Sequence, residues 1–212
     1  MICLITDRRR LGPDAEDRLV RRIGAAARAG VHLVQIRERD LDGGPLARLV
    51  GRCVAAVRGT PARVLVNDRV DVALAAGAHG VHLRGDSMPA ARVRTIVPRG
   101  FVIGRSVHGA DEAARAVGAG GVDYLIVGTV FATASKPDTR AAGVRVLAEV
   151  AAAATVPVLA VGGVTRQTVR DVAATGAAGV AAIGLFADGA EEFLQVTVSE
   201  VNMAFDIPAR VP

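Results

Sequence analysis

The sequence contains no tryptophan, one tyrosine and two cysteines, and aromatic residues make up only 3% of it. Proteins that grip single-stranded nucleic acid stack bases on aromatic rings, so a net charge of +5 is the only feature here that favours such a partner, and its basic residues are scattered. Cys3 and Cys53 cannot build the dense disulfide framework of a small secreted domain. The opening Met1-Ile2-Cys3-Leu4-Ile5-Thr6 reads as a strand rather than as the charged start of a signal peptide. Both thiols are therefore expected free and the compartment cytoplasmic. No apolar run reaches the roughly 18–20 residues of a membrane helix, because Gly, Arg or Asp breaks each one, so no membrane partner is expected. Lysine and asparagine are also scarce. Lys136 stands alone among 26 basic residues, which marks it for a task that needs a compact ammonium, and asparagine occurs only at positions 67 and 202.

What is present is a repeated unit. Residues are 51% apolar over a length of 212, enough for one sizeable core and short for two domains of ordinary size. An Ala-rich amphipathic stretch, a helix-ending Gly and a short β-branched run recur at residues 29–34, 77–83, 120–127 and 176–183. Four more strand-like runs, Ile2–Thr6, Arg63–Asn67, Phe101–Arg105 and Val156–Val161, bring the number to eight. Helix-like segments of about a dozen residues follow, among them Ala15–Ala29, Leu46–Val57, Ala110–Val117, Val144–Ala154 and Arg166–Ala174. Strict alternation demands parallel strands with right-handed crossovers, and eight units close most naturally into a single (β/α)8 TIM barrel spanning 1–212. The alternative, an open doubly wound sheet, should carry a Gly-rich turn after its first strand, where this chain reads Asp7-Arg8-Arg9-Arg10. A closing segment of about 199–212 covers the barrel or reaches a neighbouring subunit, leaving room for a homo-oligomer.

Polar residues at the ends of apolar strands are those a barrel presents to its active site. Gln35 and Arg37 share one face of the second strand by their spacing, with Arg39 continuing it. Turned inward, such an Arg calls for an anion; turned outward, it pairs with Glu38. Asn67-Asp68-Arg69 ends the third strand, where Asp68 suits Mg2+ as a hard oxygen ligand and Asn67 suits a phosphate. The same residues also read as an Asx turn capping a helix from about Val70. Gly162-Gly163 and Ile183-Gly184 fall after the seventh and eighth strands, where barrels of this kind hold phosphate against bare backbone, or else they make tight turns. Thr133, Ser135 and Lys136 offer two hydroxyls and an ammonium for a second anionic group, the alternative being a solvated loop. His82 reads as a satisfied core histidine, His32 and His79 as strand-start residues, and His108 as a helix cap or supporting residue. No Cys/His spacing suggests zinc.

The stretches Val34-Gln35-Ile36-Arg37-Glu38-Arg39, Val66-Asn67-Asp68-Arg69-Val70-Asp71, Gly104-Arg105-Ser106-Val107-His108, Val130-Phe131-Ala132-Thr133-Ala134-Ser135-Lys136-Pro137 and Ala160-Val161-Gly162-Gly163 resemble thiamine phosphate synthases and their TenI-like relatives, from about Ile5 to Phe186. The resemblance implies a transferase that condenses hydroxymethylpyrimidine diphosphate with thiazole phosphate. Gln35, Arg37, Arg39, Asn67 and Lys136 would hold the diphosphate, Asp68 would ligate Mg2+, and Ser106 would contact the leaving group. Thr133 and Ser135, with the Gly163, Ile183 and Gly184 backbones, would hold the thiazole phosphate. Synthases carry a second metal-ligating Asp where this chain has Ser87, with Asp86 one residue early as the replacement, and often a Lys where Arg39 stands. The TenI-like tautomerases, which aromatise a carboxythiazole phosphate, place a catalytic histidine where this chain has Thr129. A third outcome is a non-catalytic binder of a thiamine-pathway phosphate.

Overall fold

In a computed structural model, which describes residues 1–133, 141–188 and 191–205, the chain folds as one closed barrel of eight parallel strands. They are β1 (Ile2–Ile5), β2 (Leu33–Ile36), β3 (Arg63–Asn67), β4 (Gly80–Leu83), β5 (Val102–Val107), β6 (Tyr124–Gly128), β7 (Val158–Val161) and β8 (Gly179–Ala182). Each pairs with the next in sequence, and β8 closes on β1 through Ile2↔Val180, Cys3↔Ala181 and Leu4↔Ala182. The TIM-barrel expectation is met.

Strand periodicity divides the core in two. Val34 and Ile36, Val64 and Val66, and Leu125 and Val127 point outward and bury against the helices, whereas Cys3, Ile5, Leu33, Leu65, Tyr124, Ile126, Leu159 and Ala181 fill the barrel itself. Glycine makes the interior fit: a Cβ on Gly104 would overlap the ring of fully buried Tyr124.

The outer layer contains α1 (Ala15–Arg28), α2 (Gly43–Ala56), α3 (Val70–Ala75), α4 (Ala90–Arg94), α5 (Ala110–Gly118), α6 (Gly143–Ala153), α7 (Val169–Ala173), α8 (Gly184–Ala187) and α9 (Leu194–Ala204). The Gly of the sequence repeat acts as a helix stop. After α1, Gly30 at φ +104 lets its own N–H reach Ala27 and that of Val31 reach Ala26, the paired bonds of a Schellman ending. Gly77 repeats the pattern after α3, with Ala78 bonded to Ala73. Most boundaries shift by one to three residues from the sequence reading, and two of the shifts have a local cause. Pro157, which has no N–H, keeps β7 from starting before Val158. Residues 166–168 form a turn that leads into α7, and the Thr165 and Thr168 hydroxyls each accept the other's backbone N–H, at 3.3 and 2.9 Å, a reciprocal cap at the helix start. Ser199–Ala204 is the second half of α9, which packs on α1, α7 and α8. Among the described residues no helix is long and apolar enough to cross a membrane.

Since Tyr124 fills the space that Gly104 leaves open, Gly104→Ala should destabilise the fold by about 1–3 kcal/mol in chemical denaturation. A loss under about 0.5 kcal/mol would show that the ring is not confined there.

Candidate active site

The barrel's register assembles the mouth. Gln35 is one residue short of the end of β2, Asn67 ends β3 and pairs with His82 of β4, and Ser106 lies near the end of β5. The inward side chains here are polar, in contrast to the apolar filling beneath. The amide of Gln35 donates to Asn67 Oδ1 at 2.9 Å, while its own Oε1 is buried without a hydrogen-bond partner among the described residues. Such an orphaned acceptor is costly unless a ligand supplies an N–H.

Arg37 follows β2 and is held by its backbone N–H, which donates to Thr6 Oγ1 at 2.9 Å. Its guanidinium is half-buried, and desolvation, reinforced by the positive charges of Arg39 and Arg9, pushes its pKa below the ordinary value. Glu38 does not neutralise it. That carboxylate is buried against the loop after β1, where it accepts the Arg8 backbone N–H at 3.1 and 3.2 Å and the Arg8 guanidinium at 3.1 Å. Among the described residues neither Arg37 nor Arg39 forms an ion pair, so both are left to attract an external anion.

Below them His82 bridges two hydroxyls, with Nδ1 3.0 Å from Tyr124 Oη and Nε2 2.9 Å from Ser106 Oγ. Burial, with help from Arg105, pushes this imidazole down to about 3. The core role expected for His82 is confirmed, and it extends to supporting Ser106. His32 and His79 likewise accept backbone N–H groups at strand starts, from Ile2 and Val64, and His108 binds Glu112 at the start of α5.

Asp68 adopts a left-handed conformation at φ 57, so that its N–H reaches the His82 carbonyl at 2.9 Å while its carboxylate accepts the Ser87 hydroxyl. The β4–α4 loop brings Asp86 to the same neighbourhood. Between the two carboxylates stands Arg84, 2.5 Å from Asp86 and 3.7 Å from Asp68. Arg105, which lies between outward-packing Ile103 and Val107, pins this loop by donating to the carbonyls of Gly85, Ser87 and Met88 at 2.7–3.2 Å. The described residues contain no group of three or more His, Cys, Asp or Glu placed to hold a metal. Asp68, Asp86 and Ser87 nevertheless form an all-oxygen set around a cationic group, which suits Mg2+, an ion that takes one or two protein carboxylates and completes its shell with phosphate and water.

Two cavities open at this rim. One, of about 740 Å3, is lined by Arg39, Arg84, Asp86, Arg105, Ser106 and Arg115. The other, of about 820 Å3, lies over β7 and β8 and is lined by Arg10, Thr133, Gly163, Thr165, Ile183 and Gly184. Gly163 at φ +64 has a packing role besides, since a Cβ there would come within 2.5 Å of the Ala132 carbonyl and 2.7 Å of Phe131 Cβ. Ile183 and Gly184 open α8, whose first amides have no carbonyl within the helix to bond. Ser135 and Lys136 lie outside the described residues. Every other site residue expected from the sequence is at or beside this mouth.

A profile of thiamine monophosphate synthases matches residues 2–186. The chain belongs to the thiamine monophosphate synthase family. Among relatives, it is 43% identical over 159 residues to a thiamine-phosphate synthase of Methanoculleus marisnigri, covering 74% of this chain and 75% of that one. It is 39% identical over 184 residues to another from a Roseiflexus species, covering 86% and 76%. A thiamine phosphate pyrophosphorylase from Pyrococcus furiosus superposes with a TM-score of 0.82 at 30% identity, over 98% of this chain and 96% of that one. The family match ends inside α8, so α9 lies beyond it, although Phe193 and Thr197 reach the second cavity. Sequence reasoning missed Arg10, which barrel closure sets beside Gly184, as well as the Arg84 bridge, the Arg105 loop clamp and the Tyr124 support.

The buried imidazole predicts acid sensitivity. The unfolded chain protonates His82 near pH 6.5 and the folded protein does not until about 3, so the unfolded state binds more protons between those values. Stability should fall below pH 6.5 by up to about 1.4 kcal/mol per unit, and His82→Gln should flatten that slope in denaturant titrations at a series of pH values. Asp40, held down at about 2 chiefly by its bonds to Arg8, adds to the loss below pH 4.

Proposed function

We propose that this protein joins hydroxymethylpyrimidine diphosphate to thiazole phosphate, releasing thiamine phosphate and diphosphate, a transferase reaction of the thiamine-phosphate diphosphorylase type. The observation that carries this reading is the pair of cavities at one barrel mouth. A reaction between two phosphorylated partners needs two anion subsites within reach of each other. One cavity is lined by basic side chains, among them Arg39, whose charge acts on Arg37; the other is lined by glycine backbone and hydroxyls.

In this reading Arg37, Arg39 and Asn67, with Lys136, take the diphosphate. The free Gln35 acceptor suits an amino group on the pyrimidine better than an anionic oxygen, so Gln35 orients the ring. Thr133 and Ser135, with the amides at Gly163, Ile183 and Gly184, hold the thiazole phosphate. As the pyrimidine methylene–oxygen bond breaks, the electron pair leaves with the diphosphate and the thiazole nitrogen attacks the carbon. The guanidinium groups and the Ser106 hydroxyl serve this step by stabilising charge that grows on the departing oxygen. Asp68 and Asp86 would hold Mg2+ once Arg84 turns aside, and the bound ion would neutralise part of the diphosphate charge. Isomerisation of a carboxythiazole is less well served. The residue before Val130 is Thr129, which is buried and carries no titratable group.

Purified protein supplied with both substrates and Mg2+ should form thiamine phosphate and stop when the metal is chelated. Asp68→Asn and Arg37→Met should each lower kcat/KM by about a hundredfold, roughly 2.7 kcal/mol of transition-state stabilisation. Asp86→Ala should lower it as well. Metal-independent isomerisation of the carboxythiazole, without condensation, would overturn the assignment.

A further inference from the structure

We infer that Tyr124 and His82 form a hydrogen-bond relay that fixes the Ser106 hydroxyl as a donor to an anionic oxygen bound at the mouth. Both are positioning residues, and the inference rests on reading this mouth as the diphosphate site. The argument is one of proton placement. The Tyr124 hydroxyl is buried, and His82 Nδ1, 3.0 Å away, is its only hydrogen-bond partner among the described residues. If Nδ1 carried the ring proton, the phenolic hydrogen would be left without an acceptor in an apolar interior that includes Cys3, Leu65 and Leu159, the outcome buried polar groups avoid. The phenol therefore donates to Nδ1.

Because Nδ1 accepts, it carries no hydrogen, and the single proton of the ring resides on Nε2. Nε2–H then donates to Ser106 Oγ, 2.9 Å away. With a lone pair of Ser106 so occupied and no other partner for its side chain among the described residues, the hydroxyl's own hydrogen is free for the cavity that Ser106 lines. The opposite order would turn that hydrogen back onto the imidazole and present only lone pairs, which repel a phosphoryl oxygen. The tautomer of a histidine that no substrate touches thus sets the sign of the contact at Ser106.

Nitrogen-15 NMR of histidine-labelled protein should show His82 wholly as the Nε2–H tautomer from pH 5 to 8; an Nδ1–H tautomer or a charged ring would overturn the relay. Calorimetry with magnesium pyrophosphate then separates relay from packing. Ser106→Ala should weaken binding about tenfold and Tyr124→Phe, which removes one buried hydroxyl and keeps the ring, about fivefold. The double variant should bind no more weakly than Ser106→Ala alone, because Tyr124 acts only through that hydroxyl. Additive losses, or unchanged affinity in Ser106→Ala, would overturn the inference. Coupled losses in a protein that forms no thiamine phosphate would leave the relay standing and remove the synthase assignment instead.

Discussion

The site depends on the contact between Gly104 and Tyr124. His82, Gly104 and Tyr124 are successive register partners on β4, β5 and β6, so the middle strand must yield its side chain for the phenol ring to enter the interior. Once there, the ring floors the mouth, excludes water from beneath it and offers a hydroxyl to the imidazole above. The interior is packed too closely for that ring to be shifted without disturbing His82 and Ser106. On β2, β3 and β5 the inward face becomes polar toward the mouth, from Leu33 to Gln35, Leu65 to Asn67 and Gly104 to Ser106, while Ile5 and Ile126 keep part of it apolar.

Charge at the rim is set as much by removal of acids as by supply of arginines. Glu38 and Asp40 are taken up by Arg8 and Asp71 by Arg69. Those of these pairs that are exposed add little to stability. Their effect is on the potential, since each carboxylate so paired opposes Arg37 and Arg39 less, although Asp7 and Glu38 still act on Arg37. The sequence alone left two fates for Arg37, an anion or Glu38, and the loop after β1 decides between them by claiming the glutamate.

Much of the fold was legible because its signals are local. A Schellman glycine, an Ala-rich helix and a β-branched run recur four times along the chain, and with four further strand runs they close most naturally into a barrel. Site residues that end strands, such as Asn67 and Ser106, were legible for the same reason. The misses are residues whose meaning lies in a partner distant in sequence. Arg105 looks like a site cation, yet it leaves β5 to hold three carbonyls of the preceding loop. Arg84 looks like a loop residue, yet it sits between the two proposed metal ligands. Nothing in the spacing of Tyr124 and His82 says that their side chains meet. The glycines after β7 were read as a phosphate cradle or a tight turn, and their packing against Phe131 and Ala132 needed coordinates to be seen.

Closure of β8 on β1 has a consequence for the order in which the molecule becomes competent. Arg10 comes from the first loop of the chain and Gly184 from the last, and both line the cavity over β7 and β8. A growing polypeptide already holds the residues of the basic cavity when β5 and α5 have been made, but its second pocket lacks the wall from Ala182 to Asp188 until the final strand arrives. Occupancy of that pocket would thus report on closure of the barrel, because any ligand seated there would touch both the first loop and the last and tie the two ends of the fold together.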